Sequence, residues 1–352
     1  MTESTSSSLL NIVVLPGDGI GVDVAREALR VLRVIEARLT GVKFVFQEHS
    51  VGAGEYLRSG NPLPAAALDA CAKADAVLLG AMGLPSVRWP DGREMTPQID
   101  LREKLDLYAG PRPIRLYHGN DTPLKGYQAG GIDFVIVREN TERLFSARLS
   151  TNPTNDEARD VLRLTRRGCE RVIRFAFELA RKRRRHCTLV DKANVLPSMV
   201  FMRRIFDEIA DAYPDVKKDR VYVDAMALFL LRKPETFDVL VTENMFGDIL
   251  SDLGGGLVGG MGMAPSGDIG DDCAIFQPAH GTAPDIAGKD IANPTATILS
   301  AAMMLDWLGL QSGAAMIEKA VQRVFDDPAS RTPDMGGKLR TSEPTDLIIQ
   351  AL

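Results

Sequence analysis

The chain has 352 residues, of which 45% are hydrophobic and 25% charged, with a formal net charge of −5. This length supports two core-bearing lobes, and mixed charges with a mild acidic balance give no reason to expect a nucleic-acid partner. Cys71, Cys169, Cys187 and Cys273 make no C-x-x-C pair and no secreted disulfide framework; no apolar run approaches the ~20 residues of a membrane helix, and the polar Met1–Ser8 segment lacks a signal peptide's basic start, so the expectation is a cytoplasmic protein with no membrane partner.

Leu9–Leu15 reads as a buried strand, Pro16-Gly17-Asp18-Gly19-Ile20-Gly21 as a turn, and Val22–Ala37 as a helix. The turn has G-x-G-x-G but Val22 where a third dinucleotide-binding glycine would stand, and no acidic residue clearly ends a second strand; a tight turn needing positive φ reads at least as well. Val45–Ser50 and Ala76–Gly80 are the next strands, with a helix over Leu63–Lys73 between them.

Asp100–Pro113 holds Arg102 and Arg112 on either side of a short helix and turn, and the strand Phe134–Val137 ends at Arg138. Guanidinium forks match carboxylates bidentately, so three arginines converging would suit a di- or tricarboxylic acid, while spacing alone fits three solvated surface charges as well. Arg163–Arg185 predicts a long helix ending in R-K-R-R-R, read as cations complementing a helix C-terminus because the signatures of RNA-binding modules are missing. After the strand Cys187–Val190, Lys192 fits either an ion pair or a base acting on a metal-bound hydroxyl. Asp224 ends the predicted strand Val221–Val223, where α/β sheets place chemistry.

From Val241 to Asn293 two features follow each other. Asp248 and Asp252 stand four residues apart on a predicted helix opened by Gly247, so both carboxylates share one face and can reach one hard cation. His280 begins a turn-rich loop, H-G-T-A-P-D-I-A-G-K-D-I-A-N-P. Leu250, Leu253, Leu257 and Val258 fit an interface helix or core packing within one subunit equally well.

Taken together, L-P-G-D-G-I-G, L-R-E-K-L-D-L-Y-A-G-P-R-P, V-R-E-N-T-E, V-D-K-A-N-V, V-D-A-M-A, N-M-F-G-D-I-L-S-D, the H-G-T loop and the closing D-M-G-G-K-L-R-T-S-E resemble, in this order, the β-decarboxylating dehydrogenase family of isopropylmalate, isocitrate, homoisocitrate and tartrate or D-malate dehydrogenases. The likeness runs from Asn11 to Leu352. It implies a two-lobed α/β fold with a large sheet flanked by helices and no Rossmann domain. Residues 1–106 with 258–352 would form a large cofactor-binding lobe, and 107–257 a smaller lobe with the metal ligands and the dimer interface.

The resemblance further implies that Arg102, Arg112 and Arg138 bind the carboxylates of a hydroxy-dicarboxylate or tricarboxylate, and that Asp224, Asp248 and Asp252 hold Mg²⁺ or Mn²⁺. Lys192 would take the hydroxyl proton. Lys192 and Asp224 would cross a homodimer with shared active sites. Asn194 would lie by the nicotinamide of NAD, and His280, Gly281, Thr282, Ala283, Asp285 and Asn293 would form its adenosine site. Where the family carries a tyrosine thought to protonate the enol, this chain has Phe145, which opens a second possibility, a catalytically weak regulatory subunit. Overall the likeness is nearest to isopropylmalate dehydrogenases, but the segment expected to face the substrate's variable group, Met95–Asp100, offers the polar Thr96, Gln98 and Asp100. An isocitrate-, tartrate- or malate-like acid is therefore the alternative to an alkylmalate.

Overall fold

The computed structural model describes residues 8–146, 154 and 156–352, so the first seven residues of the expected polar tail lie outside it. Two compact units emerge: the chain up to Leu101 with Gly259–Gly267 and Asp272–Leu352, and Arg102–Val258 with Asp268–Asp271. The change of unit falls at 101/102, five residues before the expected 106/107, and gives Arg102 to the second unit.

In the first unit β1 (Ser8–Gly17) runs into α1 (Gly21–Arg38), followed by β2 (Val42–Glu48), α2 (Ala53–Ser59), α3 (Ala65–Lys73) and β3 (Ala76–Ala81). Ile12–Leu15 are almost wholly buried because β1 lies between β2 and β3 in parallel, with both faces covered. The stripe Val24, Ala28, Val31, Leu32 and Ile35 seats α1 on the core, each large aliphatic contributing about 1.5–3 kcal/mol. The change of unit lies within α4 (Pro97–Lys104).

The second unit contains β4 (Ala109–Arg115), β5 (Asp133–Glu139), α5 (Arg143–Ser146), α6 (Arg166–Arg181), β6 (His186–Asp191), α7 (Pro197–Ala210), β7 (Lys217–Tyr222), α8 (Val223–Arg232), β8 (Val239–Thr242) and α9 (Asn244–Gly256). The chain then returns through β9 (Pro265–Ile269), β10 (Ala274–Pro278), α10 (Thr295–Trp307), α11 (Gln311–Phe325) and α12 (Ser342–Ala351). Strand order is β2-β1-β3-β10-β9 in the first unit and β4-β5-β8-β6-β7 in the second, where Ile269 at the end of β9 pairs with Ala109. Mixed strands flanked by helices make this an α/β protein.

Several local expectations need correction. Helix α6 starts at Arg166, later than Arg163, because Thr165 takes extended geometry and its hydroxyl accepts from the Gly168 amide. The basic run at its end is ion-paired: Arg181 with Asp215 at 2.7 Å, and Arg183 with Asp133 at 2.7 Å and Asp238 at 2.8 Å. Helix α9 opens at Asn244, capped by Glu243, whose carboxylate accepts from the Phe246 amide at 2.6 Å; Gly247 is already inside it. Asp224 sits in the first turn of α8, just past its strand. Leu250, Leu257 and Val258 are buried in the second unit's own core, with Leu253 packed against it.

The Pro16–Gly21 segment is a turn with positive φ at Gly17 and Gly19, and a β-carbon on Gly19 would lie 2.1 Å from the Thr282 carbonyl oxygen. Asp18 is buried inside it and accepts from the Ala53, Gly54 and Gly83 amides at 2.7–2.8 Å. Its role is thus to bind three loops of its own unit. Asp18→Ala strands these amides, and we expect it to cost about 3 kcal/mol or more of unfolding free energy; an unchanged urea midpoint would show that the amides find other partners.

Candidate active site

Arginines 102, 112 and 138 come together in the second unit. Arg138 on β5 is directly opposite Gly110 on β4, so Arg112, two residues further along, projects from the same face of the sheet on the diagonal. Arg102 comes from the end of α4. All three are buried, at 7%, 5% and 2% exposure for Arg102, Arg112 and Arg138. Burial and the charges of Arg102 and Arg112 push Arg138 down to about 9, against the pull of Asp248 and Asp268. Burial likewise lowers Arg112, and Asp268 is its strongest compensation. The Nε of Arg112 has no partner. Crowded, buried cations of this kind suit carboxylates, whose paired oxygens match a guanidinium fork.

The forks of Arg102 and Arg138 are held in place by partners. Asp268, 1% exposed, accepts from Arg102 Nε at 2.9 Å and from the Asn140 amide at 2.8 Å. Burial works against its charge, yet Arg102 and Arg112, then Arg138, hold the Asp268 carboxyl below its ordinary range. Asn244 accepts from Arg138 Nε at 3.0 Å and Nη2 at 2.6 Å, and Arg138 Nη1 pairs with Asp248. The Phe145 ring lies against this guanidinium, 5.4 Å from ring centre to Cζ. Gly247 is required by the same arginine: a β-carbon there would stand 2.8 Å from Arg138 Cβ and Cγ.

Asp248 and Asp252 follow one turn apart on α9. Although Asp252 is exposed, partial desolvation and then repulsion from Asp248 raise its proton affinity, with Arg112 and Arg138 opposing. Two oxygen-donor groups one helical turn apart fit a divalent cation, which would relieve the repulsion that Asp252 feels from Asp248. Asp224 does not join them: among the described residues no three His, Cys, Asp or Glu side chains gather into a metal site. Asp224 instead accepts from Lys192 Nζ at 2.7 Å, which lowers its carboxyl. The turn carrying Lys192 is clamped by Asp191, wholly buried and bonded to Arg203 at 2.7 and 2.8 Å. Asn194 is exposed on the same turn.

The H-G-T loop belongs to the first unit. His280 Nδ1 lies 2.8 Å from the Gly281 carbonyl oxygen, the geometry of a proton on Nδ1, and burial holds the imidazole below its ordinary range, hence neutral. Its Nε2 is buried without a partner, an acceptor suited to the exocyclic amine of an adenine. Thr282 donates to the Gly83 carbonyl at 2.6 Å, and Asn293 is tied inward to Asp334 at 3.3 Å and to the Thr295 amide at 3.0 Å, so both brace the loop. Ala283 adopts φ +36°, and Gly281 and Asp285 are exposed. An exposed carboxylate at 285 suits ribose hydroxyls and repels an added 2′-phosphate. On α4 the Oε1 of Gln98 is buried without a partner, and Thr96 is half-buried ahead of it.

The family model for isocitrate/isopropylmalate dehydrogenase matches residues 11–348. The chain belongs to the isocitrate/isopropylmalate dehydrogenase family. It is 41% identical to the 3-isopropylmalate dehydrogenase of Aquifex aeolicus, covering 97% of this chain and 96% of that one. It is 42% identical to a 3-isopropylmalate/3-methylmalate dehydrogenase of Methanocaldococcus jannaschii, covering 94% and 96%. The isocitrate dehydrogenase of Methylococcus capsulatus shares its fold with a TM-score of 0.88 at 38% identity, covering 97% of this chain and 99% of that one. For a β-decarboxylating dehydrogenase acting on a small hydroxy acid, buried arginines beside two carboxylates are the chemistry required.

Asp268, Asn140 and Asn244 were not singled out from the sequence: each acts through a partner 106–166 positions away, and no local spacing signals that. In this family member Gly247→Ala, by pushing Arg138 aside, is expected to raise KM for the hydroxy acid tenfold or more with an unchanged circular dichroism spectrum; an unchanged KM would free Arg138 of that constraint.

Proposed function

We propose that the protein oxidises, with decarboxylation, a malate-type 2-hydroxy acid, using NAD and Mg²⁺ or Mn²⁺. The observation that carries this reading is the cluster of Arg102, Arg112 and Arg138 beside Asp248 and Asp252. Asp248 and Asp252, with the partner subunit's Asp224, would hold the cation. Bound there, the cation supplies Lewis acidity toward the alcohol oxygen and NAD supplies the hydride acceptor. The arginine forks fix the carboxylates and so orient the C2 hydrogen. The partner subunit's Lys192 takes the hydroxyl proton, and Asn194 beside it faces the nicotinamide. Oxidation places a carbonyl β to a carboxylate, so carbon dioxide leaves and C3 must gain a proton. Phe145 has no hydroxyl to give, and that proton comes from water or another group.

A homodimer with shared sites accounts for the separation of Lys192 and Asp224 from Asp248 and Asp252. Exposed Leu228 and Leu231 on α8 and Ile249 on α9 give apolar surface for such an interface. The reading as a catalytically weak regulatory subunit rests on Phe145 alone, whereas Lys192 and all three aspartates are present. Purified protein with NAD and Mg²⁺ is expected to form NADH from at least one 2-hydroxy diacid and to lose that activity with EDTA; silence on a panel of alkylmalates, malate, tartrate and isocitrate would favour the regulatory subunit.

The sequence relatives from Aquifex aeolicus and Methanocaldococcus jannaschii carry the names of alkylmalate enzymes, but a specific observation favours a polar substituent. Gln98, one helical turn before Arg102, has a buried acceptor without a partner, and an isopropyl group against it would leave that acceptor unmet at about 1–3 kcal/mol. Gln98→Leu is expected to shift relative kcat/KM toward alkylmalates about tenfold or more; an unchanged ratio removes this segment from specificity.

A further inference from the structure

The three arginines do not face a substrate with their full charge. Asp268 is buried among them and bonded to Arg102 Nε at 2.9 Å. We propose that Asp268 is a specificity residue that sets this site for acids with two carboxylates and against acids with three, a proposal resting on the reading of Arg102, Arg112 and Arg138 as the carboxylate site. The reasoning is a charge balance. Of three buried guanidiniums, Asp268 neutralises one. Asp248 and Asp252 are balanced by a divalent cation, and Lys192 with Asp224, paired at 2.7 Å, balance each other. Two positive charges remain, matching a dianion. A third carboxylate in the same buried cluster would meet Asp268 as a like charge, with Arg102 Nε already engaged, and an uncompensated buried charge is strongly disfavoured.

Asp268 also holds Arg102 in place, so a structural role must be separable from an electrostatic one. The isosteric Asp268→Asn allows this. An asparagine oxygen can still accept from Arg102 Nε. Asn140 needs only to turn its amide over, since its own Oδ1 has no partner and can accept from the new NH₂. The charge goes while the scaffold stays.

The experiment measures binding of succinate and of tricarballylate to the Mg²⁺-loaded dimer by calorimetry, and kcat/KM for malate- and tartrate-type against isocitrate-type substrates, in wild type and Asp268→Asn. Wild type is expected to bind succinate at least tenfold more tightly than tricarballylate, about 1.4 kcal/mol, and the variant to shift both ratios toward the tricarboxylate by tenfold or more. Tighter binding of tricarballylate by wild type, a variant that weakens both acids together, or binding of neither acid by wild type overturns the proposal. If the variant does not fold, the wild-type ranking decides alone. Succinate preference without turnover of any hydroxy acid supports the charge rule and overturns the oxidation reading instead.

Discussion

Desolvation of three guanidinium groups is the constraint on which the second unit depends. Taking a cation out of water is costly unless its donors are met and its charge answered, and here the answer is assembled piecemeal. Asp268 stands behind Arg102, Asn244 and Asp248 hold Arg138, and Phe145 covers one face of that fork. Burial, and then the neighbouring charge of Arg102, still lower the proton affinity of Arg138, so positive potential is left over. That residue of positive potential is what an anionic substrate would complete.

The same economy explains positions with no chemistry of their own. Gly247 has no side chain because the stem of Arg138 stands too close, 2.8 Å from where a β-carbon would be. Asp191 is spent on Arg203, so the turn bearing Lys192 is rigid while the lysine itself stays partly open and close to Asp224. In the first unit Asp18 does equivalent work with amides in place of arginines, joining the turn after β1 to two other loops, while Thr282 fixes the H-G-T loop to Gly83.

Much of this was legible in the sequence where the information is local. Apolar periodicity located β1, α1, β3, β5 and β6 to within a few residues, and the four-residue spacing of Asp248 and Asp252 placed them on one helical face. Caps were harder: Glu243 and Thr165 define helix starts only because their carboxylate and hydroxyl meet particular amides. Spacing alone could not show the convergence of the arginines, which came only with the family resemblance, since it depends on the antiparallel register that sets Arg138 against Gly110, and α10 carries no amphipathic signal because nearly all its residues through Leu305 are buried. Asp268 was invisible for a related reason. Nothing near it in the chain reveals that its partner is Arg102.

Strand β9 is shared between the units, and Asp268 is the first residue of the short stretch that belongs to the second. The counter-ion of Arg102 is therefore supplied only after the chain has left that unit and come back. On the ribosome all three arginines are made well over a hundred residues before it. The unit cannot reach its final electrostatic state as a nascent domain ending at Val258; it remains locally frustrated, with the outer edge of β4 unpaired at Ala109, until the returning strand emerges.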